Sequence, residues 1–276
     1  MAQPANIPVL VDAALADNPA PGSSAAVIAA GDDAIPVLAA RLKLADHPSR
    51  RADIIGLLRA INSPAVVPPL LPLMSDDDFD TRERSAQAVF SVVSAHGVPK
   101  TRVFAEAVLA GLDDKPSAAT LLLAGFVPQA RDALIRNADA RHLVKLGNDG
   151  PAVSAGIAAQ LSLSLLGNAD ARRRLESAMP TASPDHLKFC LDAMAVIDAP
   201  TLLHALADAT LSNDTPIGDG LPSGATPARR LSDHAVETFV RRLNLDGGFK
   251  IDHTRQYTED ETRAVAIQIE RALPRS

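Results

Sequence analysis

The sequence predicts an all-α protein built from stacked pairs of helices. The main sign is an internal repeat at an offset of 32 residues, which carries Asp46 onto Asp78 and Arg50 onto Arg82. The same offset aligns three apolar positions of each copy, placing Leu57, Leu58 and Ile61 onto Val89, Phe90 and Val93. Repeat periods of about 20 to 50 residues are typical of proteins in which each unit buries its apolar face against the next.

The composition suits helices and disfavours one class of ligand. Apolar residues make up 47% of the 276 residues, with no tryptophan and a single tyrosine, Tyr257. Alanine and leucine, which lead the helix propensity scale, dominate this apolar fraction. Because aromatic side chains are scarce, the chain offers few platforms on which the bases of single-stranded nucleic acid could stack.

The charge balance gives no reason to expect a polyanionic partner. The formal net charge is −6, with 16 acidic and 12 basic residues in 1–140 and 17 acidic and 15 basic residues in 141–276. Neither half is basic, whereas proteins that bind nucleic acid mainly through its phosphates are. We therefore expect that nucleic acid is not the main partner.

Cysteine content and hydropathy define the expected compartment. Cys190 is the only cysteine, so no intrachain disulfide can form. The N-terminus lacks the basic region of a signal peptide, and the longest apolar run, 64–74, is too short and too rich in proline to span a bilayer. We expect a cytoplasmic monomer with no membrane association, no cofactor and no metal site.

The first helices are predicted from apolar runs and their breakers. Helices are expected over 7–16, 23–30 and 34–44, and a fourth is expected to begin with Ser49 as its N-cap. Ser63 and Pro64 then provide an N-cap and a proline at the first helical position. The next helix contains Pro68, Pro69 and Pro72, which predict a late start or a kink.

This stretch resembles a HEAT-type repeat of the bacterial sort. Its residues follow the family pattern R-x-x-A-A-x-x-L-G-x-x-x-D-P-x-A-V-P-x-L, except that Ile54 stands where alanine is commoner and extra prolines are present. The matching positions are Arg50-x-x-x-Ile54-Ile55-x-Leu57-Leu58-x-x-Ile61-Asn62-Ser63-Pro64-x-Val66-Val67-Pro68-x-Leu70-Leu71. The resemblance implies a right-handed α-α superhelix, a solenoid of about six helix pairs with a C-terminal cap.

Later units are less regular but persist. Asp80 is expected to cap the helix that contains Val89 and Val93, and its partner helix is expected over 103–112. The motif Asn137-Ala-Asp-Ala-Arg141 recurs 31 residues later as Asn168-Ala-Asp-Ala-Arg172. Each copy is expected to close one helix and open another, and a further pair is expected to start at Pro184.

Three segments follow from this pattern: a repeat array over 1–212, a Gly/Pro-rich loop over 213–228 and a helical capping unit over 229–276. In the last segment, an apolar helix is expected to end at Gly247-Gly248, and Thr258 with Glu261 forms a capping box. The pattern Asp233-His234-Ala235…Leu243…Gly248-Phe249…Arg255-x-Tyr257-Thr258-x-x-Glu261 is similar to the closing segment of many bacterial HEAT-repeat proteins.

Two candidate metal or redox sites have simpler structural explanations. His186 and Cys190 lie four residues apart on a predicted helix, but Cys190 falls on its apolar stripe, so we expect a buried, unreactive thiol. Residues 76–80 carry alternating carboxylates like a calcium loop. Thr81 and Gln87 stand where an EF-hand needs glycine and glutamate, so a solvated turn between repeats is favoured.

The remaining motifs are also explained without a site. The spacing Gly218-x-Gly220-x-x-x-Gly224 lacks the strand and the lysine of a P-loop, and Ser223 does not lie in a G-x-S-x-G motif. The run 172–174 of three arginines is expected to form a solvated face. His234 and Tyr257 could line a pocket, but a hydrogen-bonded packing role is favoured.

Arg50 and Arg82 are the predicted binding residues, because the repeat places them at equivalent positions near the start of successive helices. They could form a structural ladder, each bonding a carboxylate or a helix-end carbonyl of its neighbour. They could instead present guanidinium groups to an acidic partner across a concave face. The sequence favours the ladder and leaves the binding role open.

The predicted function is a non-enzymatic scaffold or adaptor that binds a protein partner on its concave face, an expectation drawn from the fold. Two alternatives remain open. One is a DNA-binding HEAT-like protein of the alkylpurine glycosylase type, which needs a basic concave face with aromatic residues. The other is a HEAT enzyme of the phycobilin-lyase kind, which needs a polar pocket.

Overall fold

A computed structural model describes residues 6–112, 115–147, 150–217 and 228–273. Helices make up most of these residues and strands almost none, so the prediction of an all-α protein is confirmed. The chain divides into two compact units, unit 1 over Met1–Gln129 and unit 2 over Ala130–Ser276. Each is described by itself.

Unit 1 consists of helices joined by short turns, several of them of the tighter 3-10 type. Its helices are α1 Ile7–Ala14, α2 Ser23–Ala30, α3 Ile35–Leu44, α4 Pro48–Ile61, α5 Val67–Leu70, α6 Phe79–His96, α7 Arg102–Ala110 and α8 Ala118–Ala124. The 3-10 segments are Gly31–Ala34, Pro64–Val66 and Leu71–Ser75.

Helices of unit 1 pack against the next helix but one. α2 packs on α4, α4 on α6 and α6 on α8, while α1 packs on α3. The core between them is aliphatic, and its largest fully buried side chains include Leu38, Ile54, Ile55, Leu58, Leu70, Met74 and Phe104. Helices adjacent in the chain also pack on each other, α1 on α2 and α3 on α4.

The proline-rich helix is interrupted on both sides, where the sequence predicts only a late start or a kink. Ser63 is its N-cap, since its Oγ accepts a hydrogen bond from the backbone N–H of Ala65 at 3.3 Å. Pro68, Pro69 and Pro72 lack the N–H groups that a continuous ladder needs. The segment therefore forms the short helix α5 between two 3-10 segments.

The predicted caps of α4 and α6 are each wrong by two residues. α4 begins at Pro48, so His47 is its N-cap and Ser49 lies inside the first turn, bonded to the His47 ring over 2.8 Å. α6 is capped by Asp78 and not by Asp80, because Oδ2 of Asp78 accepts from the backbone N–H of Thr81 at 2.8 Å. α4 begins at Pro48 because proline is favoured at the first helical position. Asp78 caps α6 because it lies three residues before Thr81, whose backbone N–H is in the first turn of the helix.

Unit 2 contains the remaining helices and one pair of very short strands. Its helices are α9 Arg131–Asn137, α10 Ala155–Leu165, α11 Ala169–Ala178, α12 Pro184–Asp192, α13 Pro200–Thr210, α14 Leu231–Leu243 and α15 Glu259–Ala272. Strands β1 Leu143–Val144 and β2 Val153–Ser154 pair antiparallel, with Leu143 opposite Ser154 and Val144 opposite Val153.

The two copies of the Asn-Ala-Asp-Ala-Arg motif behave differently. Asn168 caps α11 as expected, accepting from the backbone N–H groups of Asp170 and Ala171. The first copy closes α9 at Asn137 but does not open a helix, because the chain enters β1. Gly156 makes this corner possible, since a Cβ there would lie 2.7 Å from the carbonyl oxygen of Ala138.

Alternate packing continues in unit 2, where α11 packs on α13, α13 on α15, and α12 on α14. The capping box of α15 is confirmed, with the Thr258 and Glu261 side chains bonding each other's backbone N–H. α14 ends earlier than the predicted Gly247-Gly248, because Asn244 adopts a left-handed conformation at φ 50° and stops the helix.

The predicted boundaries at 212 and 228 stay predictions. Residues 218–227 of the loop lie outside the described residues, and with them Gly218, Gly220, Ser223 and Gly224. On either side of that gap, Pro216 and Arg230 form an isolated antiparallel bridge.

Candidate functional site

Arg50 lies in the first turn of α4, and its side chain is 40% exposed. Its Nη2 donates to Oδ1 of Asp17 over 3.4 Å, and the Asp17 side chain is 96% exposed. An ion pair this exposed contributes about 0–1 kcal/mol to stability, since water competes for both partners. Arg50 could therefore exchange Asp17 for a better-placed carboxylate at little cost.

The structural ladder was predicted to involve Arg50, but the adjacent Arg51 makes its contacts. Its Nε donates to the carbonyl of Ala45 at 2.9 Å, and its Nη1 lies 3.1 and 3.4 Å from the two carboxylate oxygens of Asp76. Ala45 precedes α4, and Asp76 follows the Leu71–Ser75 segment. This partly buried arginine therefore links the residue before α4 to the residue after the Leu71–Ser75 segment.

Arg82 bonds the backbone of Asp76, whereas Arg51 bonds its carboxylate. Its Nη1 donates to the backbone carbonyls of Asp76 and Asp77 at 2.7 and 3.1 Å. Its guanidinium also lies 5.5 Å from the ring centre of Phe79, within cation–π range. Asp76 therefore joins Arg51 of α4 to Arg82 of α6, a geometry that suits a structural role for Arg82.

The structural equivalent of Arg82 is Arg51, and the predicted equivalence with Arg50 is wrong. The backbone N–H of Arg51 donates to the carbonyl of the cap residue His47, as that of Arg82 donates to Asp78. Each guanidinium then reaches the carbonyl six residues before it. The helices begin at Pro48 and Phe79, 31 residues apart, so the 32-residue alignment is one residue too long here.

The carboxylates of Asp76, Asp78 and Asp80 make contacts that stabilise the local structure. Asp76 accepts from the N–H of Asp78 and pairs with Arg51, and Asp80 pairs with Arg84 at 2.6 Å. The hydrogen bonds from Thr81 lower the pKa of Asp78 below its ordinary value. Across the described residues, no group of three or more His, Cys, Asp or Glu side chains is placed to hold a metal ion.

A second group of polar and charged side chains lies in unit 2. We call Arg230, Asp233, Glu237, His253 and Tyr257 the terminal cluster. Asp233 is 0% exposed. Its Oδ1 accepts from Arg230 Nη2 and the Tyr257 N–H at 2.9 and 2.8 Å, and its Oδ2 from the Arg230 N–H at 2.9 Å. Burial acts to raise the pKa of Asp233, but these hydrogen bonds outweigh it and hold the pKa below its ordinary value.

Glu237, one turn after Asp233 on α14, is also buried. Its Oε2 lies 2.8 Å from Nη2 of Arg229 and 2.5 Å from Nδ1 of the more exposed His253. The hydroxyl of Tyr257 lies 3.4 Å from Glu237 Oε1 and accepts from the N–H of Asp252 at 2.9 Å. Burial raises the pKa of Tyr257.

Two further pairs fix the surroundings of the terminal cluster. Arg255 lies 4.4 Å above the ring of Tyr257 and forms a bidentate pair with Glu261 at 2.8 and 2.9 Å. This pair lowers the pKa of Glu261 to about 2.

Asp192 of α12 contacts His234 Nε2 at 2.8 Å and Lys188 Nζ at 2.7 Å. Burial acts to raise the pKa of Asp192, but its bond with His234 prevails and lowers it.

The terminal cluster contains titratable groups, but its contacts are those of a structural ion-pair and hydrogen-bond network. Each buried carboxylate is matched by an arginine, and both His234 and Tyr257 bond within the protein, as their favoured packing role requires. Sequence analysis found Asp233, His234 and Tyr257 through the family resemblance. It missed Glu237 and Arg229, for which the spacing of Asp233 and Glu237 on one helix face was the available signal.

The run of arginines on α11 borders an open surface depression of about 660 Å³, lined by Asp170, Arg173, Arg174, Glu176 and Ser177. Arg173 pairs with Asp170, Arg174 with Asp139 at 3.3 Å, and Arg172 with Glu176 at 3.9 Å. Cations and anions alternate in this lining, which agrees with the solvated face expected from the sequence.

Cys190 is buried on α12, as predicted. Burial, with the nearby carboxylate of Asp192, raises the pKa of its thiol to about 12. His186 is partly exposed on the same helix, and no hydrogen bond joins the two side chains among the contacts of the described residues. The pair therefore lacks the lowered thiol pKa that a nucleophile or a metal ligand needs.

We expect Cys190 to resist labelling. A buried thiol with a raised pKa has almost no thiolate at pH 7.5, and the thiolate is the reactive form. A thiol-specific reagent added to the native protein should modify Cys190 at least about a hundredfold more slowly than the same protein in denaturant. Modification at the same rate in both states would reopen the His186–Cys190 site.

Within the part of the chain that the structure describes, no helix combines the length and apolar character needed to cross a membrane. Comparisons of the chain with protein-family models, with curated proteins and with solved structures find no match.

Proposed function

We propose that this chain is a HEAT-like helical-repeat protein that binds a protein partner and performs no chemistry of its own. In this proposal its helix pairs stack into a right-handed superhelix, and the partner lies on the concave face of a monomer. The observation that carries the proposal is the repeated junction of unit 1, where Arg51 of α4 and Arg82 of α6 each bond the carbonyl six residues earlier and Asp76 joins the two arginines. Alternate helix packing in each unit supports the same architecture.

Arg50 is the proposed contact residue. It stands next to the junction but takes no part in it, and its contact with Asp17 is long and exposed. A guanidinium held by a stable helix start presents its donors in a fixed direction, which suits bidentate binding of a carboxylate. The partner therefore carries an acidic side chain that displaces Asp17.

The charge and the polar groups disfavour the two alternatives. A protein of net charge −6 lacks the excess of cations that binding to DNA phosphates requires. The buried carboxylates of the terminal cluster are neutralised by arginines, which leaves little acid–base chemistry for a lyase. Protein binding remains the function that these contacts support best.

Two matched alanine variants test the proposal. Arg50→Ala is expected to leave thermal unfolding unchanged while capture of the partner from the native lysate is lost. Arg82→Ala is expected to lower the free energy of unfolding by about 1–3 kcal/mol, because partly buried hydrogen bonds at the junction are removed. Both variants are compared with the wild-type protein by calorimetry and by affinity capture followed by mass spectrometry.

The pair of results separates binding from structure. If Arg50→Ala captures the same proteins as the wild type, Arg50 is not part of the binding face. If capture recovers nucleic acid in stoichiometric amount and nuclease treatment abolishes it, the DNA-binding alternative replaces the proposal.

A further inference from the structure

The first helices of unit 2 carry a local excess of positive charge. Residues 131–145 and 169–178 together contain seven Lys and Arg residues against four Asp and Glu residues, whereas the whole chain contains 27 against 33. The first segment consists of α9 and the chain that follows it, and the second lies on α11. Both helices pack on α10. The two segments therefore form a basic region in a protein whose net charge is −6.

Side-chain contacts hold these two segments close together. Nη1 of Arg174 on α11 lies 3.3 Å from Oδ1 of Asp139, which follows α9. At the other end of α9, Nη2 of Arg131 donates to the carbonyl of Leu166, the C-cap of α10, at 2.5 Å. The end of α9 and the arginines of α11 therefore belong to one continuous surface of unit 2.

The fold does not use every cation of this surface. Arg136, Arg141 and Lys145 are exposed, and none of them has a hydrogen bond or an ion pair within the part of the chain that the structure describes. Arg174 does have a partner, but its side chain is 62% exposed and that of Asp139 is 87% exposed. All four cations are thus accessible to an anion from another molecule.

The acidic residues of the same two segments do not neutralise it. Asp132 is exposed, Asp139 and Asp170 pair with arginines of α11, and Glu176 bonds the hydroxyl of Thr201. Ion pairs as exposed as those of Asp139 and Asp170 contribute about 0–1 kcal/mol, because water competes for both partners. A carboxylate of a binding partner can therefore replace either aspartate at little cost.

Large apolar side chains are exposed among these cations. Ile135, beside Arg136 in the last turn of α9, is 51% exposed, and Leu143, the first residue of β1, is 70% exposed. Their neighbours in the chain, Leu134 and Val144, are buried and anchor each element to the core. Cations next to exposed aliphatic side chains suit a partner that has both carboxylates and apolar side chains, since burial of apolar area adds affinity to the electrostatic attraction.

The same composition disfavours nucleic acid as the ligand of this surface. No phenylalanine, tyrosine or tryptophan occurs in residues 130–178, so the surface offers no aromatic ring on which a base could stack. Aliphatic side chains gain nothing from contact with a phosphate. A protein segment satisfies both the cations and the apolar side chains.

We propose that unit 2 binds an acidic segment of a protein partner, one that carries aliphatic side chains between its carboxylates. The binding residues are Ile135, Arg136, Arg141, Leu143, Lys145 and Arg174, which we call the basic surface. The cations attract and orient the carboxylates, and the two apolar residues contact the aliphatic side chains. This is a second binding surface beside that of Arg50 in unit 1, and it does not depend on the role of Arg50.

Fluorescence anisotropy of the full-length protein with a labelled peptide that repeats Leu-Glu-Glu tests the basic surface. Binding is expected to weaken at least about tenfold when Arg136→Glu and Arg141→Glu are combined, because two attractions become repulsions. Leu143→Ser is expected to weaken it about threefold, because apolar burial is lost. The matched control combines Arg59→Glu on α4 with Arg102→Glu on α7, both exposed, and is expected to leave binding unchanged.

Two further probes define the chemistry of the ligand. A peptide that repeats Leu-Lys-Lys is expected not to bind, and a peptide that repeats Ser-Glu-Glu is expected to bind more weakly than Leu-Glu-Glu because it has no aliphatic side chains. Raising the salt concentration from about 0.05 to 0.3 M is expected to weaken binding of Leu-Glu-Glu, since the cations are exposed and screened.

Several results would overturn the proposal. The Leu-Glu-Glu peptide could fail to bind, or the control pair of substitutions could weaken binding as much as the pair on the basic surface, which would show an effect of net charge alone. A DNA oligonucleotide that binds more tightly than the peptide and displaces it would assign the surface to phosphates. Leu143→Ser keeps the proposal testable if the arginine variants fail to fold. Peptide binding is measured here and partner capture at Arg50 separately, so either proposal can fail without the other.

Discussion

Replacing Asp233 by alanine is expected to lower the free energy of unfolding of unit 2 by about 2–4 kcal/mol. The change removes the acceptor for the backbone N–H groups of Arg230 and Tyr257 and the counter-charge of the Arg230 guanidinium. Breaking a buried pair costs more than breaking a surface pair, because the remaining charge and donors stay shielded from water. Asp233→Asn should cost less, since its amide oxygen still accepts.

Urea unfolding followed by circular dichroism measures this effect on the transition of unit 2. The matched control is Asp260→Ala in the first turn of α15, whose side chain is 93% exposed and pairs with Arg263 only at 3.6 Å. That variant is expected to change the free energy of unfolding by less than about 0.5 kcal/mol. Equal effects of the two substitutions on the free energy of unfolding would show that the terminal cluster does not stabilise unit 2.

Truncating the chain to residues 1–212, which removes the loop 213–228 and the capping segment 229–276, is expected to abolish cooperative unfolding of unit 2 or to cause aggregation. The deletion removes α14 and α15, whose large buried side chains are Leu231, Val236, Phe239, Val265 and Ile269. Each contributes about 1.5–3 kcal/mol by burial, and their sum approaches the whole stability of a typical domain, about 5–15 kcal/mol. Their partners on α12 and α13 would become exposed.

Calorimetry and size-exclusion chromatography of residues 1–212 check this prediction. The truncated chain should elute as aggregates or lose the thermal transition that belongs to unit 2. A monomeric 1–212 with an unchanged melting temperature would refute the capping role of 229–276.

Much of the fold was predictable because local signals agreed with the packing. Ser63, Asn168 and the pair Thr258–Glu261 cap the helices that the sequence assigned to them. Where two polar residues competed for one cap, the sequence was ambiguous, as with Asp78 and Asp80. The strand pair β1–β2 was not predictable, since two-residue strands have no periodicity and depend on contacts made after folding.

The candidate site was less accessible to sequence reasoning, and Arg50 and Arg51 show why. Adjacent arginines on a helix point in directions about 100° apart, so a shift of one residue in the repeat alignment exchanges their roles. The 32-residue offset selected Arg50, whereas the start of α4 at Pro48 gives Arg51 the junction contacts. Glu237 was missed for a different reason: its partners Arg229 and His253 lie on either side of α14 in the chain and meet it only through the fold.

The most direct test of partner binding at the repeat junction is photo-crosslinking from position 50. A photoreactive amino acid placed at Arg50 in the native cell is expected to give a cross-link to a distinct protein, through a segment that contains acidic residues. The same amino acid at Arg102, an exposed position of α7, serves as the control and is expected to give no such adduct. A protein that still captures its partner but forms no adduct from position 50 would contradict the proposed binding face.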